Sequence, residues 1–462
     1  MSYCEVSSRH IVGRISPATW YFKREIIIMK KKLYCFAILA LTSLSSVFSQ
    51  SLLTLDECKK LALANNYAMK NSDLEIEESR KLKNSAIAKY FPKLSAGAFA
   101  FAANENLLEK SIELPGQFAA LMPGGLTFGM LEKGNVSYVN LVQPVYAGGR
   151  IYFGNQLASL GVEAGRFRRK LSENDMVLKT EEQYWRIVCL NRKAVTISKY
   201  GELLDALLRQ VEDANRAGIV MKNDVLRVRQ KKSEMLLNKS KLENGKTIAT
   251  MAFCQFMGIS YDSNIVFDGD IQDVDPESLY VDPVQALGGR PEYILLKKSV
   301  EAEKLKAKMK MGEFLPQVGV GVSAMYYGFD DDKNRFNGVL YGQVSVPISD
   351  WWGGAYELKG QSIRKTIAEN NLKDKTDLLL LQMEKAWQDL NDAYKQVALA
   401  EDSMRQADEN QKVTADSYYN GLVNLSDMLE AQAVLQEARD GIIEAKVNYR
   451  LKQIYYMQAT GR

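Results

Sequence analysis

The sequence predicts a mixed α and β fold in which an internally duplicated chain carries long coiled-coil helices and four strands of bilayer-crossing length. Three observations predict it. Gly218, Asp224, Leu226 and Gly258 recur as Gly421, Asp427, Leu429 and Gly461 at a constant offset of 203, which Pro144 and Pro347 share; this is the mark of a subdomain present twice. Two proline-free stretches carry apolar residues that step alternately by 3 and 4, the seam of a coiled coil. Between the helical parts, segments of about ten residues alternate apolar with small or polar side chains, and that length crosses a bilayer as a tilted strand.

The elements follow in order. Residues 1–28 resemble no targeting or folding unit and read as an upstream extension ahead of the true start. Met29 then opens a basic stretch, followed by an apolar run from Leu33 to Leu44, so residues 29–49 read as a secretory signal peptide. Cys35 sits inside the apolar run with no lipidation box after it. The first repeat spans 50–270: a helix, a β-hairpin at 93–145, a long helix at 150–217 and a returning helix at 224–257. The second spans 271–462: a helix, a β-hairpin at 317–347, a long helix at 355–420 and a returning helix at 427–460. Upstream of the hairpins the offset becomes 224, Phe91-Pro92 aligning with Leu315-Pro316, so the first hairpin carries a 21-residue insertion between Pro92 and Pro144.

No proline falls between Val145 and Asp275 or between Ile348 and Arg462, which permits helices of about 100 Å. Ile187, Leu190, Ala194, Ile197, Gly201, Leu204, Leu208 and Val211 form one seam; Leu379, Met383, Ala386, Leu390, Ala393, Val397, Ala400 and Met404 form the other. An ordinary soluble bundle would explain these seams equally well. Gly218 and Gly421 suit the left-handed position that ends a helix, and Asn223 or Ser426 would cap the returning helix. In the second hairpin Val318, Val320, Val322, Ala324 and Tyr326 share one face, as do Leu340, Gly342, Val344 and Val346. In the first, 94–101 and 136–142 do the same less cleanly. The connecting loops, 103–135 and 327–337, the latter carrying Asp330-Asp331-Asp332, would face outward. Four strands are too few to close a barrel, so several chains must share one.

Composition excludes more than it selects. Removal of residues 1–49 leaves 53 basic and 54 acidic residues, so the basic balance of the full chain is no sign of nucleic acid. It also removes His10, the only histidine, and with it the commonest general base and transition-metal ligand. No phosphate loop, nucleophile elbow or Cys-x-x-Cys pair stands in the sequence. An enzyme is not expected, nor a cofactor or a metal site. Cys58, Cys189 and Cys254 are an odd number on helical apolar patterns and read as buried free thiols. The mature part holds no run of about 18 apolar residues, hence no transmembrane helix.

The junction Gln143-Pro144-Val145-Tyr146-Ala147-Gly148-Gly149-Arg150, its longer counterpart from Val346-Pro347 to Gly353-Gly354, and the tips at 218–226 and 421–431 together resemble the TolC family of outer membrane channel proteins. The resemblance covers essentially the whole mature chain. It implies a homotrimer pooling twelve strands into an outer membrane β-barrel and its helices into a periplasmic α-barrel. It also implies an exit duct for a tripartite efflux pump or type I secretion system in a Gram-negative cell, docked through a periplasmic adaptor to an inner membrane transporter. The β-barrel would contact outer membrane lipid. The family's periplasmic gate falls on Asp224 and Tyr418, and its acidic entrance ring on Asp427 and Glu430. Where the family's best-known member places a gate arginine this chain has Val423, and Lys222 is the nearest substitute. Each aspartate also reads as simple helix N-terminal charge, and Tyr418 as coiled-coil packing. Gly218, Ile219, Val220, Gly421, Leu422 and Val423 make apolar tips that either meet the adaptor or pack within their own hairpins. The strand-to-helix junctions are Pro144, Gly148, Gly149, Pro347, Gly353 and Gly354. A periplasmic coiled-coil adaptor or structural protein is the alternative, though it would not need two pairs of bilayer-length strands.

Overall fold

The computed structural model describes residues 52–105, 107–112, 126–130, 132–270, 274–329 and 334–462. The expected extension at 1–28, the signal peptide at 29–49 and Asp330-Asp331-Asp332 lie outside the described residues. Residues 52–53 and 262–266 make one small unit, joined by a parallel bridge between Leu52 and Val266. Residues 54–261 and 267–462 make the other, which carries every element named below.

Its first helix, α1 (Leu55–Asn65), starts from a capping box. The Thr54 amide donates to Glu57 Oε2 at 2.9 Å and the Glu57 amide to Thr54 Oγ1 at 3.4 Å, so two orphan amides of the helix start are satisfied together. Helix α2 (Tyr67–Ala88) follows at once, capped by Asn66, and leads into the strands β1 (Lys93–Ala102), β2 (Leu108–Ile112), β3 (Leu126–Met130) and β4 (Lys133–Ala147). Then come α3 (Arg150–Arg216), α4 (Lys222–Met257), the short α5 (Pro283–Leu287), α6 (Pro291–Glu313), β5 (Gln317–Phe329), β6 (Arg335–Ser345), α7 (Trp351–Tyr419) and α8 (Leu425–Ala459).

Strands β1, β4, β5 and β6 form one antiparallel sheet in the order β1-β4-β5-β6, and β2 pairs only with β3. The expected loop at 103–135 is therefore interrupted by a second two-stranded ribbon. β4 runs on to Ala147, past Pro144, which stays in register opposite Gly319; the shift in register between Pro144 and Tyr146 leaves Val145 without an opposite residue on β5. The register sets Leu94 against Leu141, Leu141 against Val322 and Val322 against Leu340. That apolar row crosses all four strands, and all four side chains are solvent-exposed. One residue along, Ser95, Asn140 and Ser323 face the other way in register, and Asn140 Oδ1 accepts from the Tyr341 hydroxyl at 2.9 Å.

At 67 residues α3 is about 100 Å long, and α7 has 69. Helix α3 packs against α2, α4, α6 and α8, and α7 packs along α8. On α3 the expected seam buries Ile187, Gly201, Leu204 and Val211. Gly201 is small because α4 comes close: a methyl there would meet the Met235 methyl at 2.9 Å. On α7 the seam buries Met383, Leu390, Ala393 and Val397. Trp387 widens it, its ring 4.9 Å from Tyr280 and 5.2 Å from Tyr456. Among the described residues no helix is long and apolar enough to cross a membrane.

Candidate functional site

The two helix tips are built alike. At the end of α3 the chain turns through Gly218 with φ 71°, and at the end of α7 through Gly421 with φ 73°. The Ile219 amide donates to the Ala214 carbonyl at 2.9 Å and the Leu422 amide to the Ser417 carbonyl at 2.8 Å, the Schellman closure that needs a left-handed residue between. Asn215 Nδ2 locks the first turn by donating to the Val220 carbonyl at 2.8 Å. The returning helices start earlier than 224 and 427, and neither expected cap is used. The residue before α4 is Met221, with no side-chain cap, so Asn223 lies inside the helix. The residue before α8 is Asn424, which makes a capping box with Asp427, so Ser426 lies inside that helix as well.

The tips share a core. Val211, Val225, Val228, Leu425 and Leu429 are buried together, with Val220 and Tyr418 packed against them. Arg227 on α4 reaches Ser426 on α8, Nη1 to Oγ at 2.7 Å. The arrangement brings Asp224 close to Tyr418: burial first, and then the charge of Asp224, push the Tyr418 phenol above its ordinary pKa. Asp427 is occupied locally, its Oδ2 accepting from the Asn424 amide at 3.2 Å. Glu430 is exposed and lines a groove of about 350 Å³ with Arg227, Gln230, Ser426 and Leu429. Lys222 is exposed. The tip side chains divide: Ile219 and Leu422 are 78 % and 77 % exposed, while Val220 and Val423 are half-buried. Sequence reasoning missed Met221, as exposed as these two, and the Arg227 to Ser426 link, which has no local signal. The capping box of Asn424 had one: an acid three residues on.

At the first strand-to-helix junction Gly148 and Gly149 have φ 63° and 78°. A methyl on Gly148 would land on the Gly312 carbonyl oxygen, and one on Gly312 would land on the Gly148 carbonyl oxygen, so the end of α6 lies directly on the turn into α3. Pro144 stands at the register break of β4. At the second junction the Pro347 carbonyl accepts from the Asp350 amide at 3.2 Å. Gly354 faces the Phe314 ring, whereas Gly353 faces open space. Trp351 Nε1 donates to the Phe314 carbonyl at 2.8 Å.

A family model described as outer membrane efflux protein matches residues 283–462. No curated protein matches the chain. Among solved structures, the outer-membrane channel OprN superposes with a TM-score of 0.74 at 14% identity, covering 88% of this chain and 89% of that one. The outer membrane protein VceC of Vibrio cholerae gives 0.71 at 14%, with 88% and 96% covered. The CmeC outer membrane channel of Campylobacter jejuni gives 0.72 at 16%, with 88% and 85% covered. At these identities the likeness is one of fold. Over residues 283–462 the chain matches the outer membrane efflux protein family, and it carries the TolC-like fold of these outer membrane channels.

Proposed function

We propose that the chain is one protomer of a trimeric outer membrane channel that serves as the passive exit duct of a tripartite efflux pump or type I secretion system. The observation that carries the reading is the exposed row Leu94, Leu141, Val322 and Leu340 on a sheet whose edge strands, β1 and β6, pair on one side only among the described residues. Four antiparallel strands with an apolar outer row cannot close alone; three copies would supply twelve, with the row facing lipid and Asn140 and its neighbours facing the lumen. Residues 50–270 and 271–462 are then two copies of one subdomain, which the repeated order of helix, strands, long helix, glycine turn and returning helix supports. The helical part would stand in the periplasm of a Gram-negative cell. Asp224, Tyr418, Asp427 and Glu430 would ring its entrance, and Ile219, Met221 and Leu422 would meet the adaptor that couples the duct to an inner membrane transporter. The duct itself runs no chemistry; energy comes from that transporter.

The test is the native mass of the protein after detergent extraction from isolated outer membranes. A trimer is expected. A soluble periplasmic monomer would overturn the reading and favour the coiled-coil alternative.

A further inference from the structure

The apolar row Leu94, Leu141, Val322 and Leu340 occupies one face of the four-stranded sheet; the other face carries aromatic rings. Side chains alternate along each strand, and the register puts Tyr341 in one row with Lys93 and Gly321. Further up the same face come Tyr138, then Phe99 beside Val136 and Tyr327, then Phe101 and Phe329 on either side of Gly134. All lie on the side of Asn140, which the Tyr341 hydroxyl reaches. From Gly321 to Phe329 is roughly 26 Å of strand at about 3.3 Å per residue.

Most of these rings lie down on the wall. A methyl on Gly97 would land on the Tyr138 ring, one on Gly321 on the Tyr341 ring, and one on Gly134 against both Phe101 and Phe329. Each of the four therefore covers a glycine and turns its other side away from the sheet. Neighbouring centroids stand 6.5 Å apart for Phe99 and Phe101, 6.3 Å for Phe101 and Phe329, and 5.3 Å for Tyr327 and Phe329. Phe99 covers no glycine and is 55 % exposed. Charge on the sheet is one-sided as well: no Asp or Glu stands on the four strands, while Lys93 is exposed on the ring-bearing face. That face suits a flat aromatic group, which stacks on such rings, and it suits negative charge.

We infer that the strand-built part of the duct is a stacking surface for small planar aromatic anions, which touch Phe99, Phe101, Tyr138, Tyr327, Phe329 and Tyr341 on their way out. The inference rests on the trimeric channel proposed above. Twelve strands about 4.8 Å apart and tilted by about 40° enclose roughly 24 Å between backbones. Side chains narrow that opening, so a small solute crosses it against the rings of three copies.

Single-channel recording of the reconstituted protein with benzenesulfonate and cyclohexanesulfonate tests it, since the two share charge and size and differ in the flat ring. Benzenesulfonate should half-block the current at a concentration about threefold lower or less, the scale of one stacked pair. Phe99→Leu keeps an apolar side chain and disturbs no glycine, and it should remove most of that advantage. Tyr326→Leu, on the opposite face, should block as the parent does. Benzyltrimethylammonium should block less well than benzenesulfonate; equal or better block would overturn the preference for anions. Where closed tips keep the current too small to read, Ser323→Cys reports on the same face. Benzenesulfonate should slow its labelling by a charged methanethiosulfonate, above the parent's background, and cyclohexanesulfonate should not. A trimer on which the two sulfonates act alike overturns this inference alone. A soluble monomer overturns the channel reading with it.

Discussion

Lys59 reaches from α1 to α3 and sets its ammonium nitrogen 2.5 Å from the carboxylate of Glu181, the one buried acid among the described residues. Arg450 of α8 stands 3.8 Å from the other oxygen. A buried carboxylate is tolerable only while paired. Lys59→Met should lower stability by about 2 kcal/mol, below the roughly 3–5 kcal/mol of breaking a fully buried pair because the lysine is partly exposed and Arg450 remains. Adding Glu181→Gln removes the stranded charge. The double variant should then unfold at a higher temperature than Lys59→Met alone in thermal melts of the extracted protein, and equal melting points would refute the pairing.

Gly148 and Gly312 touch backbone to backbone. Gly148→Ala combines a positive φ with a methyl placed on the Gly312 carbonyl oxygen, and should cost about 3 kcal/mol or more. Gly312→Ala should cost a similar amount by the reciprocal clash. Gly161→Ala, inside α3 with open space around it, should instead gain up to about 1 kcal/mol from helix propensity. Thermal unfolding of the three variants ranks them. If Gly148→Ala melts with the parent, the junction is not held as described.

Asn424 caps α8 through both halves of a capping box with Asp427. Asn424→Ala should therefore lower stability by about 1 kcal/mol. Ser426 only accepts the exposed Arg227 hydrogen bond, and Ser426→Ala should stay within about 0.5 kcal/mol of the parent. Reversal of that order in chemical denaturation would return the cap to Ser426.

These residues mark how far sequence carried. The long helices were legible within a few residues because nothing between Val145 and Asp275, or after Pro347, breaks a helix, and glycine at 218 and 421 ends one wherever the chain must reverse. The cap was missed because Asn424 and Ser426 have the same capping chemistry, and only the turn geometry decides which one stands outside the helix. The ribbon of β2 and β3 was hidden by its setting, two five-residue strands inside an insertion with no seam or repeat to align them. At the tips, the repeat pointed to Asp224, and only the resemblance to the TolC family pointed to Tyr418. That Tyr418 packs on a core shared with Val225 and feels the charge of Asp224 is tertiary packing, invisible to any local pattern, as is the Arg227 to Ser426 contact.

Burial, and then the neighbouring charge of Glu57, push the Cys58 thiol up from 9.0 to about 12. A thiol whose folded pKa lies above its unfolded value keeps its proton longer when folded, so the folded state binds more protons across that window. Stability should be unaffected below about pH 9 and fall as pH rises toward 12. Cys58→Ala should flatten the alkaline fall in melting temperature whatever its effect at neutral pH. An unchanged alkaline slope would mean that Cys58 does not carry it. Cys58 and Cys254 are buried and Cys189 half-buried, so of these three maleimide at pH 8 should label Cys189 alone, and slowly, in the native protein.

Tyr418 and Asp224 supply the test of closure. The phenol is half-buried against the shared tip core and feels the charge of Asp224, so packing, with that charge beside it, ties the end of α7 to the start of α4. If the duct is gated at its tips, loosening this tie frees one helix pair to move against the other. Asp224→Ala with Tyr418→Ala should raise the leak of small solutes through the reconstituted, undocked protein, read as a higher single-channel conductance or faster liposome swelling. Tyr418→Phe separates the two roles of the residue: it keeps the packing and loses the hydroxyl, so a closed channel in that variant assigns closure to packing and an open one assigns it to the polar contact. Unchanged permeability in the double alanine variant would remove both residues from the gate and leave Asp224 as a helix N-terminal charge worth about 0.3–1 kcal/mol.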